Sequence, residues 1–248
     1  MKKIITYLIL FPILGGVGYA QQSLFNVPSI SITKKKEVFF QEQVNVTFAG
    51  TSLNFNTAYG LGHEFELGIN VVGVGVEWDK NVPVLITNST SKDQVPYAPL
   101  VMMTGLKAFS IGEHYKIGFG GQVGLNPTQN NFTKDDVATF DYINNRVEIP
   151  KLNLMLCAGA YYSNLVYLGQ RDQFGGMCGF ELVIIEHKFL LMGDWIIGQN
   201  AVSVAVPGFV YHPHHNIALS GGWQIPSPGS GNPQGFVFEL TLGNFSSK

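Results

Sequence analysis

Charge is scarce in this chain. Asp, Glu, Lys and Arg make up 13% of its 248 residues, about half of the roughly 25% usual for a soluble domain, and that argues against a surface wholly exposed to water. The charges nearly balance, with 15 basic and 17 acidic residues. Without a basic excess there is no electrostatic footprint for nucleic acid. Long apolar runs are also missing. The longest, Ile4–Leu14, is too short for a spanning helix of about 20 residues, so any membrane insertion has to be made by strands. Cysteine is limited to Cys157 and Cys178. On the strand phases given below they face opposite ways, which a disulfide does not tolerate, and both read as small packed apolar residues.

Glycine is abundant: 29 of 248 residues, against about 7% in average usage. The start of the chain has the form of a secretory leader. Met1-Lys2-Lys3 is followed by the apolar run and then by Gly15, Gly16, Gly18 and Ala20, which predicts Sec export with cleavage near Ala20. Residues 1–20 are thus read as signal peptide, 21–35 as an aperiodic lead-in, and 36–248 as one β-domain.

The clearest strand signal surrounds Tyr59–Asn70. Leu53, Phe55, Thr57 and Tyr59 alternate with Ser52, Asn54, Asn56 and Ala58, and Phe65, Leu67, Ile69 and Val71 alternate with Glu64, Glu66, Gly68 and Asn70. Two period-two runs joined across Gly60 and Gly62 predict a hairpin. Similar alternation predicts strands at Val38–Phe48, Glu64–Trp78, Leu100–Phe109, Tyr115–Asn126, Lys151–Tyr162, Leu165–Gly169, Phe174–Ile184, Lys188–Gly198, Ala201–Tyr211, Ile217–Ile225 and Phe236–Leu242. That gives about twelve strands, or about ten without Leu165–Gly169 and Ala201–Tyr211. Glu42 lies on the apolar face of the first strand and calls for a rim position or a bulge. Short turns near residues 62, 113, 163, 186 and 213 contrast with the long connections Asp79–Gln94, Pro127–Val147 and Pro226–Pro233. Short turns at one end and long loops at the other characterise transmembrane barrels.

Alternation alone does not separate a membrane barrel from a soluble one. Aromatic residues on the apolar face do. Tyr59, Phe65, Tyr115, Tyr162 and Phe189 gather beside the short turns, and Trp78, Trp195 and Trp223 sit toward the opposite ends. Two such belts mark the two interfaces of a bilayer. The fold expected is a single antiparallel up-and-down transmembrane β-barrel. In its leader, its Tyr-Gly-Leu-Gly…Glu-Leu-Gly hairpin (Tyr59–Gly68) and its terminal strand with Phe236, Phe238, Leu240 and Leu242, the chain resembles the outer-membrane β-barrel proteins of Gram-negative bacteria, especially the small porin-like barrels of many Bacteroidota. The resemblance implies an outer-membrane location, contact with outer-membrane lipid and insertion by the barrel assembly machinery. It departs from the family at its end, where Phe245 is followed by Ser246-Ser247-Lys248 instead of closing the chain.

The inward positions expected to line the lumen are Gln41, Gln43, Asn45, Asn54, Asn56, Glu66, Asn70, Lys107, Lys116, Gln122, Lys151, Asn153, Asp194, Gln224 and Glu239. They predict either a narrow passive channel for small polar solutes, with Gly118, Gly120, Gly124 and Gly222 leaving space, or a filled, non-conducting barrel that docks a partner through its loops. In the filled version Lys107, Lys116 and Lys151 pair with Glu66, Asp194 and Glu239. The histidines fall at turns with no ligand set of recognised spacing, and no Gly-x-Ser-x-Gly elbow occurs. Neither a metal, nor a cofactor, nor an enzymatic activity is expected.

Overall fold

The computed structural model describes residues 24–77, 85–90 and 95–243. The leader, Trp78, most of the Asp79–Gln94 connection and Phe245 lie outside the described residues. The strands are β1 (Val38–Thr47), β2 (Gly50–Gly62), β3 (Phe65–Glu77), β4 (Leu85–Thr87), β5 (Leu100–Ile111), β6 (Tyr115–Leu125), β7 (Ala138–Ile149), β8 (Leu154–Ser163), β9 (Phe174–Ile185), β10 (Phe189–Ile196), β11 (Val204–His214), β12 (Ile217–Pro226) and β13 (Gly235–Leu242). Each pairs antiparallel with its neighbours, and β13 returns to β1 through pairs such as Gln43↔Glu239 and Val46↔Phe236. β4 only extends the loop end of β3. The other twelve strands form a closed up-and-down ring, so no backbone edge is left open, as a lipid-facing sheet requires.

Twelve was the expected count, but two elements differ from the expected set. β7 lies inside Pro127–Val147, which the sequence presents as a loop, and Leu165–Gly169 holds a one-turn helix, α1 (Leu165–Leu168), instead of a strand. The alternation of β7 is hidden because both faces are mixed: Phe140 and Tyr142 are turned inward, while Asp141 and Asn145 share the outer face with Ile143 and Val147. In α1, Asn164 caps the helix by accepting from the Tyr167 N–H, and Val166 and Leu168 are buried. Omitting one strand reverses the direction of the next. The 163–164 corner therefore belongs to the long-loop end, and Tyr162 joins the aromatic belt at that end. The connections at the short-turn end are those after β2, β5, β7, β9 and β11, and both β1 and β13 meet the outside at that same end, while the two-residue β1–β2 turn at Phe48 and Ala49 is a tight exception at the long-loop end.

The outer face carries exposed Leu67, Ile69, Met103, Phe119, Val123, Leu156, Phe209, Leu219 and Phe238, an apolar surface far larger than a water-soluble monomer presents. Tyr59, Phe65, Tyr115 and Phe189 ring its short-turn end. At the other end the Trp195 indole donates to Ser227 Oγ at 2.8 Å, and Trp223 packs edge-on against Phe236 at 4.6 Å. Glu42 stays on this outer face between Phe55 and Leu240 in unbroken registers, so neither a bulge nor a rim accounts for it. Cys157 is buried in the interior, Cys178 sits on the opposite face of the neighbouring strand, and both thiols are free.

Candidate functional site

Twelve strands enclose more space than their own side chains fill, since about eight is the width at which side chains suffice. The lead-in takes up that space. Residues 24–35 run through the lumen, with Leu24, Phe25, Val27 and Ile30 fully or almost fully buried. Each such apolar side chain contributes about 1.5–3 kcal/mol relative to exposure. The chain leaves at the short-turn end, where Lys35 pairs in parallel with Gly60 and the Lys36 N–H donates to Gly60 O at 2.8 Å. A turn then leads into β1.

Two inward carboxylates hold this plug. Asp194 on β10 accepts the backbone N–H groups of Asn26 and Val27, the latter at 2.7 Å. Glu66 on β3 accepts the Thr33 N–H at 2.7 Å. β3 and β10 are diametrically opposed, with five strands between them either way round the ring, so residues 26–33 are tied across the lumen. From the wall, Asn144 donates to Pro28 O, Arg146 to Ser31 Oγ, and Gln43 to Phe25 O. Arg146 also pairs with Glu148 at 2.8 Å. Ile30 sits at φ 53°, a left-handed conformation that is strained for a β-branched residue and is held by its complete burial.

The inward glycines do not leave a bore: Gly118 and Gly222 fit this segment, Gly120 makes room for the Tyr142 ring, and Gly124 lies against β5. A Cβ on Gly118 would come within 2.5 Å of Ile30, and one on Gly208 or Gly222 within 2.6 or 2.9 Å of Phe25. Around Leu24, Phe25 and Val27 the β7–β13 half of the interior holds an apolar core that includes Met155, Met177, Met192, Val206 and Val210.

The β1–β6 half stays polar and open toward the long loops as a cup of about 550 Å³, floored by Phe25, Asn26 and Pro28. Gln41, Gln43, Asn45, Asn54, Asn56, Asn70, Gln122 and Gln224 line it, and Glu66 reaches its depth. Asn54 Nδ2 donates to Gln43 Oε1 at 3.1 Å, Asn70 Nδ2 to Gln122 Oε1 at 3.1 Å, and Gln224 Nε2 to Pro233 O at 2.9 Å. Asp194 and Glu239 face the buried plug side. Lys116 reaches only the short-turn rim, 3.6 Å from Glu64.

Three expected lumen residues are elsewhere. Lys107 is on the outer face in phase with Met103 and Phe109, because its neighbours Leu106 and Ala108 take the inward positions. Its ammonium lies 5.0 Å over the Phe109 ring and donates to His63 O. Lys151 and Asn153 sit in the exposed turn between β7 and β8, with Asn153 at φ 50° closing it. The expected lysine–carboxylate pairing inside the barrel does not form, since Lys107 and Lys151 lie outside the lumen and Lys116 stops at its rim, while plug amides meet Asp194 and Glu66.

The sequence reading also missed the aromatic wall of the cup. Phe140 and Tyr142 on β7 stand 6.0 Å apart, and Tyr167 of α1 lies 5.2 Å from Phe140. Burial pushes the Tyr167 hydroxyl up to about 12, so it stays neutral. Loop residue Tyr97 donates to Asp136 at 3.1 Å. The signals were present in the apolar Leu24-Phe25 and Val27 of the lead-in and in the surplus of inward glycines. Among the described residues no three His, Cys, Asp or Glu side chains come together in a metal-binding group.

No family model matches the chain, and neither does any curated protein. Among solved structures, CdiB from Acinetobacter baumannii aligns over 85% of this chain and 60% of its own, with 11% identity and a TM-score of 0.31. This chain thus spans less than two thirds of that one, and at that TM-score the likeness adds nothing to the strand pairing itself.

Proposed function

We propose that the protein is an outer-membrane β-barrel, inserted by the barrel assembly machinery, that does not conduct at rest and binds a small polar solute in its loop-end cup. The short turns face the periplasm and the long loops face outward, following the asymmetry of bacterial barrels. The apolar outer surface meets lipid and the two aromatic rings lie at its interfaces. No reaction is assigned to the chain. The observation that carries the reading is the passage of residues 24–35 through the lumen, tied at Asp194 and Glu66 on opposite walls. A freely open channel requires that segment to be elsewhere. The cup above it falls within the about 300–1,000 Å³ range of small-molecule sites.

Planar-bilayer recording tests this directly. The wild-type protein, refolded and shown to be barrelled, is expected to give no current above background, whereas a variant lacking residues 24–33 conducts. Steady ohmic current through the wild type at low voltage overturns the closed-lumen reading.

A further inference from the structure

The polar lining of the cup has a marked bias. Among the described lining residues ten side chains are carboxamides, Glu66 is the single carboxylate, and none is a lysine or arginine. Glu66 is already engaged by the plug through the Thr33 N–H. Such a lining offers no positive charge to an anionic ligand. A carboxamide presents donors and an acceptor in one plane, which matches hydroxyl groups that also donate and accept.

The amides are pre-set. Pairing of Asn54 with Gln43 and of Asn70 with Gln122, each at 3.1 Å, fixes their planes. Asn45 Oδ1 and Asn70 Oδ1 remain buried without a hydrogen-bond partner in the protein, although buried polar atoms are nearly always satisfied. Beside Gln122, its register partner Phe140 is buried and stacked on Tyr161 at 5.4 Å, which leaves the half-buried Tyr142 and Tyr167 rings of the lining to face the C–H side of a pyranose ring.

We propose that the cup binds a neutral, hydroxyl-rich saccharide: amides on the β1–β6 wall read its hydroxyls, and the Tyr142 and Tyr167 rings pack against its ring. This rests on the closed-lumen reading, which gives the cup its floor. A free oligosaccharide and the neutral glycan of a membrane lipid present the same chemistry, so both are tested.

The experiment is titration calorimetry of the full mature protein in detergent with maltotriose, cellotriose and triacetylchitotriose, with trigalacturonate as the anionic counterpart. Nanodiscs containing digalactosyldiacylglycerol are assayed in parallel. Binding of at least one neutral trisaccharide, or of the glycolipid, without binding of trigalacturonate is expected. Asn70→Leu with Gln122→Leu lowers that affinity tenfold or more, and the milder Asn56→Ala lowers it at least threefold, with barrel migration on gels unchanged. Trigalacturonate binding as tightly as the neutral sugars, no binding of any probe, or unaltered affinity in both variants overturns the proposal. If the wild type is also silent in bilayers, the closed barrel survives that failure.

Discussion

Asp194 shows how much one side chain carries when it faces inward. Its carboxylate accepts two backbone N–H groups of the plug, and hydrogen bonds to a charged acceptor are worth about 1.5–3 kcal/mol each. Removing it leaves both donors buried and unpaired, at a cost of about 1–3 kcal/mol apiece. Asp194→Ala is therefore expected to loosen residues 24–33 without opening the strand ring. Ser29 is fully buried and can report this as Ser29→Cys in a background with Cys157 and Cys178 replaced by serine. Maleimide labelling should be at least about tenfold faster with Asp194→Ala, since about 1.4 kcal/mol is a factor of ten. Equal labelling rates would show that the apolar contacts of Leu24, Phe25 and Val27 hold the plug alone. The same position was legible in the sequence only as an inward acid. Its partner was not, because a backbone N–H carries no sequence signature.

At the scale of elements, most strands announce themselves by period-two alternation, and β7 fails to because aromatic residues face inward where a polar stripe is expected. Its neighbour, the 126–137 connection, is held by Asp136. Hydrogen bonds from the Thr133 and Gln129 side chains and from the Thr133 backbone keep the Asp136 carboxyl well below the ordinary carboxylate range. Because the folded carboxyl ionises at a lower pH than the unfolded one, its contribution is complete above about pH 3.9. It is lost only as the pH falls toward the folded value. Pepsin should accordingly leave this connection intact near pH 4 and cut it progressively in stronger acid, whereas Asp136→Ala is cut at both. A wild-type connection cleaved equally at pH 4 and pH 2 would contradict the network around Thr133 and Tyr97.

For the molecule as a whole, ring closure is what turns the apolar strand faces outward together. Purified protein is expected to migrate faster unheated than boiled and to partition with outer membranes. Recovery as a soluble periplasmic species would show that the apolar outer face does not meet a bilayer. The sequence by itself determined the architecture: few charges, period-two strands, short turns opposed to long loops, and aromatic belts all follow from local covalent order, and local order decides which face a side chain takes. Only the tertiary structure decided what the interior holds. An aperiodic segment such as 24–35 has no pattern of its own, and its place depends on a cavity that exists once twelve distant strands have closed. Of the glycines that read as empty bore, Gly118 and Gly222 are sites of close approach for Ile30 and Phe25 and Gly120 for Tyr142, and Asp194 and Glu66 meet plug amides instead of lysines. These are relations between residues far apart in the chain, fixed by the diameter of the ring and not by any motif along it.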